Sequence, residues 1–221
     1  MKRIVLFGGG NHARYCLDIL HQQNKYQIVG IIDQSKPKGE ICGDYQVIGT
    51  IAELDQLIDH YQIEAGLITI GDNYSRYQVH ELIKQVQPNF QFVNAIHPTA
   101  IFGKQASIQT GIVVGANSIV GTHAKIGAHC WIGSHTLVEH DNVMHDFSNI
   151  SSGSITGGFV EIGFCSAITI GAVILDRIQI GEHTVVGAGA LVTKNISHNE
   201  IWYGTPARFI RNRVENERFL K

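Results

Sequence analysis

One histidine of the sequence stands between two acidic residues, in the order Glu139, His140, Asp141. A neutral imidazole accepts a proton near neutral pH, because the ordinary pKa of the group is about 6.5. A neighbouring carboxylate holds one ring tautomer and stabilises the imidazolium that forms. The segment therefore predicts a general base, His140, with Asp141 as its partner and Glu139 as a second orienting group. The alternative is an ordinary histidine at a turn, without a catalytic role, whose acidic neighbour is incidental.

A second chemical signature lies near the start of the sequence, where residues 8–13 read GGGNHA. Gly8, Gly10 and Ala13 match the G-x-G-x-x-A pattern of nucleotide-binding loops that follow a strand and open a helix. Bare backbone in such a loop approaches a pyrophosphate, and the helix N-terminus adds partial positive charge. Asp33 follows the next predicted strand, near the place of an acid that contacts a ribose. We predict a nucleotide site here; a loop that serves only helix–strand packing is the alternative.

Residues 1–97 alternate strands and helices, as a small parallel sheet requires. The patterns predict strands over 2–7, 26–32, 65–70 and 92–96, and helices over 12–23, 51–60 and 74–86. With about four strands, this domain corresponds to one half of a complete NAD-binding fold. A nucleotide-linked sugar, with one nucleoside and one pyrophosphate, fits that size better than NAD.

From Phe102 onward the sequence repeats with a period of six. Thirteen of the sixteen first positions between Phe102 and Val192 are Ile or Val, and Gly follows in nine of the sixteen. We interpret each unit as one short strand and one corner, with the aliphatic residue stacked inside a prism and the glycine adopting the backbone angles of a tight corner. Three units per turn give a parallel β-helix. The sequence thus predicts two domains, at residues 1–97 and 98–221.

Composition argues against several classes of partner. The formal net charge is −2, which gives no electrostatic footprint for nucleic acid or anionic lipid. No apolar run approaches the ~20 residues that a membrane span needs, and the N-terminus lacks the pattern of a signal peptide. The four cysteines have no CxxC spacing and fit reduced thiols. We therefore expect a cytoplasmic protein with no nucleic-acid or membrane partner.

These two halves together resemble a known family. The repeats are similar to those of hexapeptide-repeat acyltransferases, and a small α/β Rossmann-like domain before them resembles the sugar O-acyl/N-acetyltransferases of the NeuD/PglD type. The resemblance implies a left-handed parallel β-helix, a homotrimer with active sites between subunits, and acetyl-CoA as cosubstrate. It also implies an N-acetyltransferase that acts on a UDP- or dTDP-linked 4-amino-4,6-dideoxy sugar for surface glycan biosynthesis.

The same resemblance implies roles for further residues and no metal. Contacts to the nucleotide-sugar are expected from Gly8, Gly10, Asn11, His12, Asp33, Gln34 and Gly71. Contacts to the cofactor are expected from Asn149, Gly158, Ile170 and Ala188, with His145 as an alternative to Asn149 at the thioester. The C-terminal arginines are expected either to face the CoA phosphates or to lie in a solvated tail; they are Arg208, Arg211 and Arg213.

Three other functions stay open from the sequence. One is a sugar O-acetyltransferase of the sialic-acid type, and another is a non-catalytic scaffold that binds a nucleotide-sugar. The third is a zinc lyase of the γ-carbonic-anhydrase kind, because His135, His140 and His145 are spaced by five and two of them with one from a neighbour can bind zinc. The remaining corner histidines, His123 and His129, are expected to be solvated, as is His135 if it binds no metal.

Overall fold

The computed structural model describes residues 1–214 and 217–219. Its N-terminal part contains a five-stranded sheet made of β1 (Lys2–Phe7), β2 (Tyr26–Ile32), β3 (Ile41–Cys42), β4 (Tyr45–Gly49) and β5 (Ala65–Ile68). The strand order is β3-β4-β2-β1-β5. Neighbouring strands are parallel except for the β3–β4 pair. This is the small Rossmann-like domain that the alternating pattern predicts.

Three helices cover the two faces of this sheet: α1 (Asn11–Gln23), α2 (Leu54–Tyr61), which follows a 3₁₀ turn at Ile51–Glu53, and α3 (Asn73–Val86). Helix α1 packs on one face and α2 and α3 pack on the other. The buried side chains of α1 include Ala13, Cys16, Leu17 and Leu20, whose i, i+3, i+4, i+7 spacing places them on one face of the helix. No helix within the described residues is long and apolar enough to cross a membrane.

The second part of the chain is a left-handed parallel β-helix whose two-residue strands stack into three sheets. Face 1 comprises Ala95–Ile96, Val113–Val114, Trp131–Ile132, Asn149–Ile150, Ala167–Ile168, Val185–Val186, Glu200–Tyr203 and Arg208–Asn212. Face 2 comprises Ile101–Phe102, Ile119–Val120, Leu137–Val138, Ile155–Thr156, Val173–Ile174 and Leu191–Val192. Face 3 comprises Ser107–Ile108, Lys125–Ile126, Val143–Met144, Glu161–Ile162 and Gln179–Ile180.

The aliphatic first positions of the repeat fill the prism. Val120, Ile132 and Val138 are completely buried and belong to one continuous core that runs the length of the coil. Three edges separate the faces: the first edge joins faces 1 and 2 (for example 133–136), the second joins faces 2 and 3 (139–142), and the third joins faces 3 and 1 (145–148).

The glycines of the repeat have a different purpose from the one we expected. We expected them to provide the backbone angles of a tight corner, but Gly103, Gly121 and Gly133 do not have a left-handed φ. A Cβ on Gly133 would lie 2.3 Å from the backbone nitrogen of Ser152 in the next coil, so glycine is required by the close approach of successive turns. The left-handed residues stand two positions later, as at His135 (φ 56°).

The junction between the two domains cuts through one predicted strand, over 92–96. Phe92 forms a bridge with Gly66 beside the N-terminal sheet. Ala95–Ile96 instead pairs with Val113–Val114 and is the first rung of face 1. The coil therefore starts slightly before residue 98. The β3–β4 hairpin was not predicted, because a two-residue strand gives no readable alternation.

The N-terminal domain covers face 1 of the coil. The Tyr15 hydroxyl of α1 lies 3.0 Å from the Ser134 hydroxyl on the first edge. The side chain of Asn73, at the start of α3, donates to Asn149 of face 1 at 2.8 Å. These contacts fix the N-terminal domain on face 1 and beside the first edge, on the side of the prism away from the second edge.

Candidate active site

The glycine-rich loop lies where β1 ends and α1 begins. Gly8 has a φ of 104°, and a Cβ there would lie 2.8 Å from the Ile70 side chain, so only glycine fits. Gly10 is the N-cap of α1, and none of the described side chains caps this helix or places an acid in its first turn. The helix N-terminus therefore keeps its partial positive charge and its free N–H groups for a ligand.

A cavity of about 960 Å³ opens beside this loop, at the carboxyl ends of β1, β2 and β5. Ligands bind at such ends in open parallel sheets. All seven residues predicted to contact a nucleotide-sugar line it: Gly8, Gly10, Asn11, His12, Asp33, Gln34 and Gly71. The structure thus brings together residues that are far apart in the sequence, around one open cavity of the size that holds a small molecule.

Asp33 holds the shape of this cavity. One carboxylate oxygen accepts from the Gly9 N–H at 2.7 Å, and the other accepts from the backbone of Ser35 at 2.8 Å and of Lys36 at 3.1 Å. Partial burial by itself raises the pKa of Asp33. The hydrogen bonds lower the pKa by a larger amount, so the pKa of Asp33 lies below that of an ordinary carboxyl. The oxygen bonded to Gly9 can accept one more hydrogen bond, as a ribose hydroxyl would require.

His12 enters the cavity as a neutral ring. It stacks on Tyr15 with ring centroids 5.7 Å apart and meets the edge of Trp131 at 4.7 Å. Burial, with a smaller contribution from the charge of Arg76, lowers the pKa of His12 to about 4. At neutral pH the ring therefore offers one donor and one acceptor to a ligand and no charge.

The loop that carries Gly71 is tied to the coil by a buried arginine that sequence reasoning missed. Arg76 is 3% exposed. Its guanidinium donates to the carbonyls of Gly71 at 3.1 Å, of His129 at 2.8 Å and of Phe147 at 2.9 Å. Two further bonds reach Ile70 and Asn73, so all five donors are used. This network fixes one wall of the cavity to the third edge of the coil.

The predicted base lies on the second edge of the coil. His140 Nδ1 is 2.9 Å from an Asp141 carboxylate oxygen, and both side chains are about half exposed. A neutral ring that donates from Nδ1 presents an unprotonated Nε2, which is the form that a general base requires. Asp141 has a left-handed φ of 57°. Glu139 accepts from the backbone N–H of His140 at 3.0 Å, so it orients the segment without touching the ring.

Gly158 packs directly against the imidazole ring of His140. It lies one coil later on the same edge, and a Cβ there would be 2.6 Å from both Cε1 and Nε2 of His140. Its N–H donates to Asp176 at 2.8 Å, and its carbonyl accepts from Arg177 at 2.9 Å. Both main-chain groups are therefore occupied, and a cofactor can contact Gly158 only by van der Waals packing or by sharing these bonds.

The other predicted cofactor residues lie elsewhere on the coil. Ile170, which is 65% exposed, and Ala188, also exposed, are neighbours on the first edge. Asn149 lies on face 1 and is completely buried; its amide is bonded to Asn73 and, at 3.1 Å, to Ser151. This placement argues against the predicted contact of Asn149 with acetyl-CoA, because the N-terminal domain covers the whole side chain.

The remaining histidines have separate environments. His129 is 2% exposed and stacks on Phe147 with ring centroids 4.9 Å apart, so the expectation of a solvated corner was wrong there. The reason is that this corner faces the N-terminal domain. His135, His140 and His145 lie on three different edges, so two from one chain cannot meet at one zinc ion. Within residues 1–214 and 217–219, no three His, Cys, Asp or Glu side chains are arranged to hold a metal.

The C-terminal arginines also differ from the expectation. Arg213, which we predicted to face CoA phosphates or solvent, is 7% exposed and donates to the His183 carbonyl at 2.9 Å. Arg211 pairs with Glu217. Only Arg208 is exposed with no ion pair among the described residues. The segment therefore folds back toward the N-terminal domain, where the backbone of Phe219 reaches Asp72 at 3.3 Å.

Comparisons with known proteins find matches both to the N-terminal domain and to nearly the whole chain. A family model described as the PglD N-terminal domain matches residues 3–83. The acetyltransferase domain of PglB from Neisseria gonorrhoeae, solved with acetyl coenzyme A, is 25% identical and has a TM-score of 0.85, over 95% of this chain and 99% of that chain. In domain order and fold, this chain is similar to sugar acetyltransferases of the NeuD/PglD type.

Two further matches show how far the similarity to known proteins extends. A variant of perosamine N-acetyltransferase from Caulobacter crescentus, in complex with CoA and GDP-perosamine, has a TM-score of 0.89 over 96% of this chain and 98% of that chain, at 24% identity. That likeness concerns the fold. Chloramphenicol acetyltransferase from Agrobacterium fabrum is 35% identical over 72 residues, 33% of this chain and 34% of that protein. The chain spans about a third of the length of several curated relatives that it matches.

Proposed function

We propose that this chain is an acetyl-CoA-dependent N-acetyltransferase acting on the amino group of a nucleotide-linked 4-amino-4,6-dideoxy sugar. The observation that carries the proposal is the His140–Asp141 pair, 2.9 Å apart on the second edge, in a chain that also has a nucleotide-sized cavity. UDP and dTDP are the predicted carriers, and GDP joins them because a structural neighbour is described with GDP-perosamine. The complex of PglB with acetyl coenzyme A supports the choice of acyl donor.

The chemistry follows from the free Nε2 of His140. The neutral amino group attacks the thioester carbonyl, so a C–N bond forms and the C–S bond breaks. Nε2 takes the proton that leaves the nitrogen, and the Asp141 carboxylate stabilises the imidazolium. The proton then passes to the departing sulfur, which leaves as the thiol of CoA. His140 returns to its neutral form with Nδ1 still bonded to Asp141.

The two halves of the proposed site lie on opposite sides of face 2. His140 and Gly158 are on the second edge, whereas Ile170 and Ala188 are on the first edge. The cavity lies in the N-terminal domain, where His12 contacts Trp131 of face 1. In a rotationally symmetric ring, each interface joins two different patches, one from each neighbouring copy. Such a ring can therefore place the second edge of one copy against the first edge of the next. This supports the predicted homotrimer, in which the cavity of one subunit receives His140 from its neighbour.

Face 2 has the surface that such an interface needs. Its outward side chains form one aliphatic column in register, with Ile119 paired to Ile101 and to Leu137, and Val173 paired to Ile155 and to Leu191. Ile101 is 60% exposed and Ile155 is 43% exposed. Face 3 instead presents mostly polar groups, at Ser107, Lys125, Val143, Glu161 and Gln179. A continuous apolar face between two edges that share a site favours burial against further copies of the chain.

The test is a thiol-release assay with acetyl-CoA and a panel of UDP-, dTDP- and GDP-linked amino sugars. With the sugar that turns over, His140→Ala is expected to lower kcat by roughly 10²- to 10⁴-fold, the usual value of a general base. His123→Ala is the matched control, because His123 lies on the same edge one coil earlier. Equal turnover in the two variants would contradict the assignment. A sugar acetylated on a hydroxyl would favour the O-acetyltransferase alternative.

Subunit mixing tests whether the site is shared. Gly10→Phe adds a bulky ring to the lining of the cavity and is expected to block it, and the backbone tolerates the change because nothing lies within 4 Å of a Cβ at Gly10. Two inactive chains, His140→Ala and Gly10→Phe, are denatured together and refolded as mixed trimers. Random mixing at equal amounts restores activity to about one quarter of the wild-type value if each site takes its base from the neighbour. No recovery would place both halves in one chain. The cytoplasmic location stays a prediction.

A further inference from the structure

The cavity of the N-terminal domain has an unusual balance of charge for a site that holds a diphosphate. Three acidic residues line it, Asp33, Asp72 and Glu81. His12 is neutral there, since its pKa is about 4. Among the lining residues that the structure describes, Arg218 is the one permanently charged cation. A doubly charged ligand in this cavity therefore takes its positive charge from Arg218 or relies on neutral hydrogen-bond donors alone.

The residues on both sides of Arg218 make defined contacts with the rest of the chain. Arg211 makes a two-pronged ion pair with Glu217, with one contact of 2.8 Å. The buried Arg213 donates to the carbonyl of Glu217 as well as to that of His183. On the other side of Arg218, the backbone N–H of Phe219 reaches Asp72 at 3.3 Å, and the Phe219 ring packs on face 1. Both neighbours of Arg218 are thus anchored, and Arg218, which is exposed, lines the cavity.

The tail contacts a fixed part of the cavity wall. Asp72 caps α3 by accepting from the Ser75 N–H at 2.9 Å, so the group that holds Phe219 is itself fixed. Gly10, at the start of α1, lines the same cavity as Arg218. A phosphate in this cavity can therefore take N–H donors from the helix N-terminus and a guanidinium from the tail, and guanidinium groups bind phosphate oxygens in a bidentate manner.

We infer that Arg218 binds the diphosphate of the nucleotide-linked substrate, which makes the C-terminal segment part of the substrate site. This inference rests on the proposed function, because it takes the ligand to be a nucleoside diphosphate with a sugar attached. It assigns a binding role to a segment in which the sequence shows no motif. It also separates the two substrates, since Arg218 serves the nucleotide-sugar and leaves acetyl-CoA untouched.

The experiment is calorimetric titration of the full-length protein with UDP, dTDP and GDP, each compared with its nucleoside. Arg218→Gln is expected to weaken binding of the preferred diphosphate about 10- to 100-fold, the effect of one charge-assisted contact, and to leave nucleoside binding unchanged. Arg218→Lys, which keeps the charge, recovers most of the loss. Lys25→Gln is the control, because Lys25 is an exposed cation before β2, at the opposite end of the sheet. In turnover, Arg218→Gln raises KM for the nucleotide-sugar and not for acetyl-CoA.

The possible failures are distinguishable. If the wild-type protein binds none of the three diphosphates, the nucleotide-linked substrate of the proposed function is wrong. If the wild type binds one of them and Arg218→Gln binds it equally well, the inference about Arg218 is overturned. It is also overturned if Arg218→Gln loses nucleoside and diphosphate binding to the same extent, or if the Lys variant is as weak as the Gln variant, because either result indicates a steric role.

Discussion

Replacing Gly158 by alanine tests how strictly the base is positioned. The φ of Gly158 is not left-handed, so alanine is compatible with the backbone. The new Cβ would, however, lie 2.6 Å from Cε1 and Nε2 of His140. Carbon and nitrogen atoms without a hydrogen bond prefer separations of about 3.5–4.0 Å. The imidazole must therefore move by roughly 1 Å, while the rest of the coil stays in place.

The size of the effect follows from that movement. The Nδ1–Asp141 hydrogen bond is 2.9 Å long, and a shift of about 1 Å takes it beyond hydrogen-bond range. A misplacement of about 1 Å costs on the order of 10²-fold in rate. The upper limit is the whole value of the base, about 10²- to 10⁴-fold. We expect Gly158→Ala to lower kcat about 100-fold and never more than His140→Ala does.

The assay is steady-state thiol release, with urea unfolding to confirm that the variant is folded. The double variant His140→Ala with Gly158→Ala should turn over at the rate of His140→Ala alone, because alanine at 140 leaves nothing for the new methyl group to displace. Wild-type turnover in Gly158→Ala would refute the reasoning. A double variant much slower than His140→Ala, with a raised KM for acetyl-CoA, would instead show that Gly158 acts through the cofactor.

Three other perturbations test the assembly, the domain junction and the buried histidines. Ile155→Lys places a charge in the aliphatic column of face 2 and should convert the proposed trimer to monomers in light scattering, whereas Gln179→Lys on face 3 should not. Arg76→Met leaves five buried oxygen acceptors without their donor and should lower the free energy of unfolding by about 3–5 kcal/mol in urea titration. The pKa values of His12 and His129 are lowered to about 4 and about 3. The unfolded chain therefore binds more protons than the folded chain below pH 6.5, and stability should fall from there toward pH 4, by up to about 1.4 kcal/mol per pH unit for each ring. His129→Phe should remove one ring's share of that slope and remain folded, since phenylalanine already occupies left-handed corners of the coil.

The coil could be predicted from the sequence because a strict period assigns each residue to a face without knowledge of tertiary contacts. Val120 and Ile132, at the first position, are buried as the period requires. The reason for glycine at the second position was not readable in the same way. It depends on the distance between successive coils, for example 2.3 Å from a Cβ on Gly133 to Ser152, and a one-dimensional pattern contains no such distance.

The residues of the site divide in the same way, into those that local sequence reveals and those that depend on long-range contacts. The His140–Asp141 pair joins adjacent residues, and the glycine-rich loop is local, so both could be recognised in the sequence. Arg76 reaches carbonyls as far along the chain as Phe147, 71 residues away. Arg218 enters a cavity whose other walls come from the first 82 residues. Long-range contacts of single side chains leave no periodic signal, so neither arginine could be assigned.

The division of the proposed site between two copies has a consequence for the attraction between Asp141 and the protonated His140. In one chain, the side chains of His140 and Asp141 are 47% and 37% exposed, and water weakens the attraction between a carboxylate and an imidazolium. Contact of the second edge with the first edge of a neighbour removes part of that water. The attraction then grows, because the effective dielectric constant falls. Assembly of the trimer would therefore do two things at once: it delivers the amino group to Nε2, and it strengthens the stabilisation of the protonated ring by Asp141.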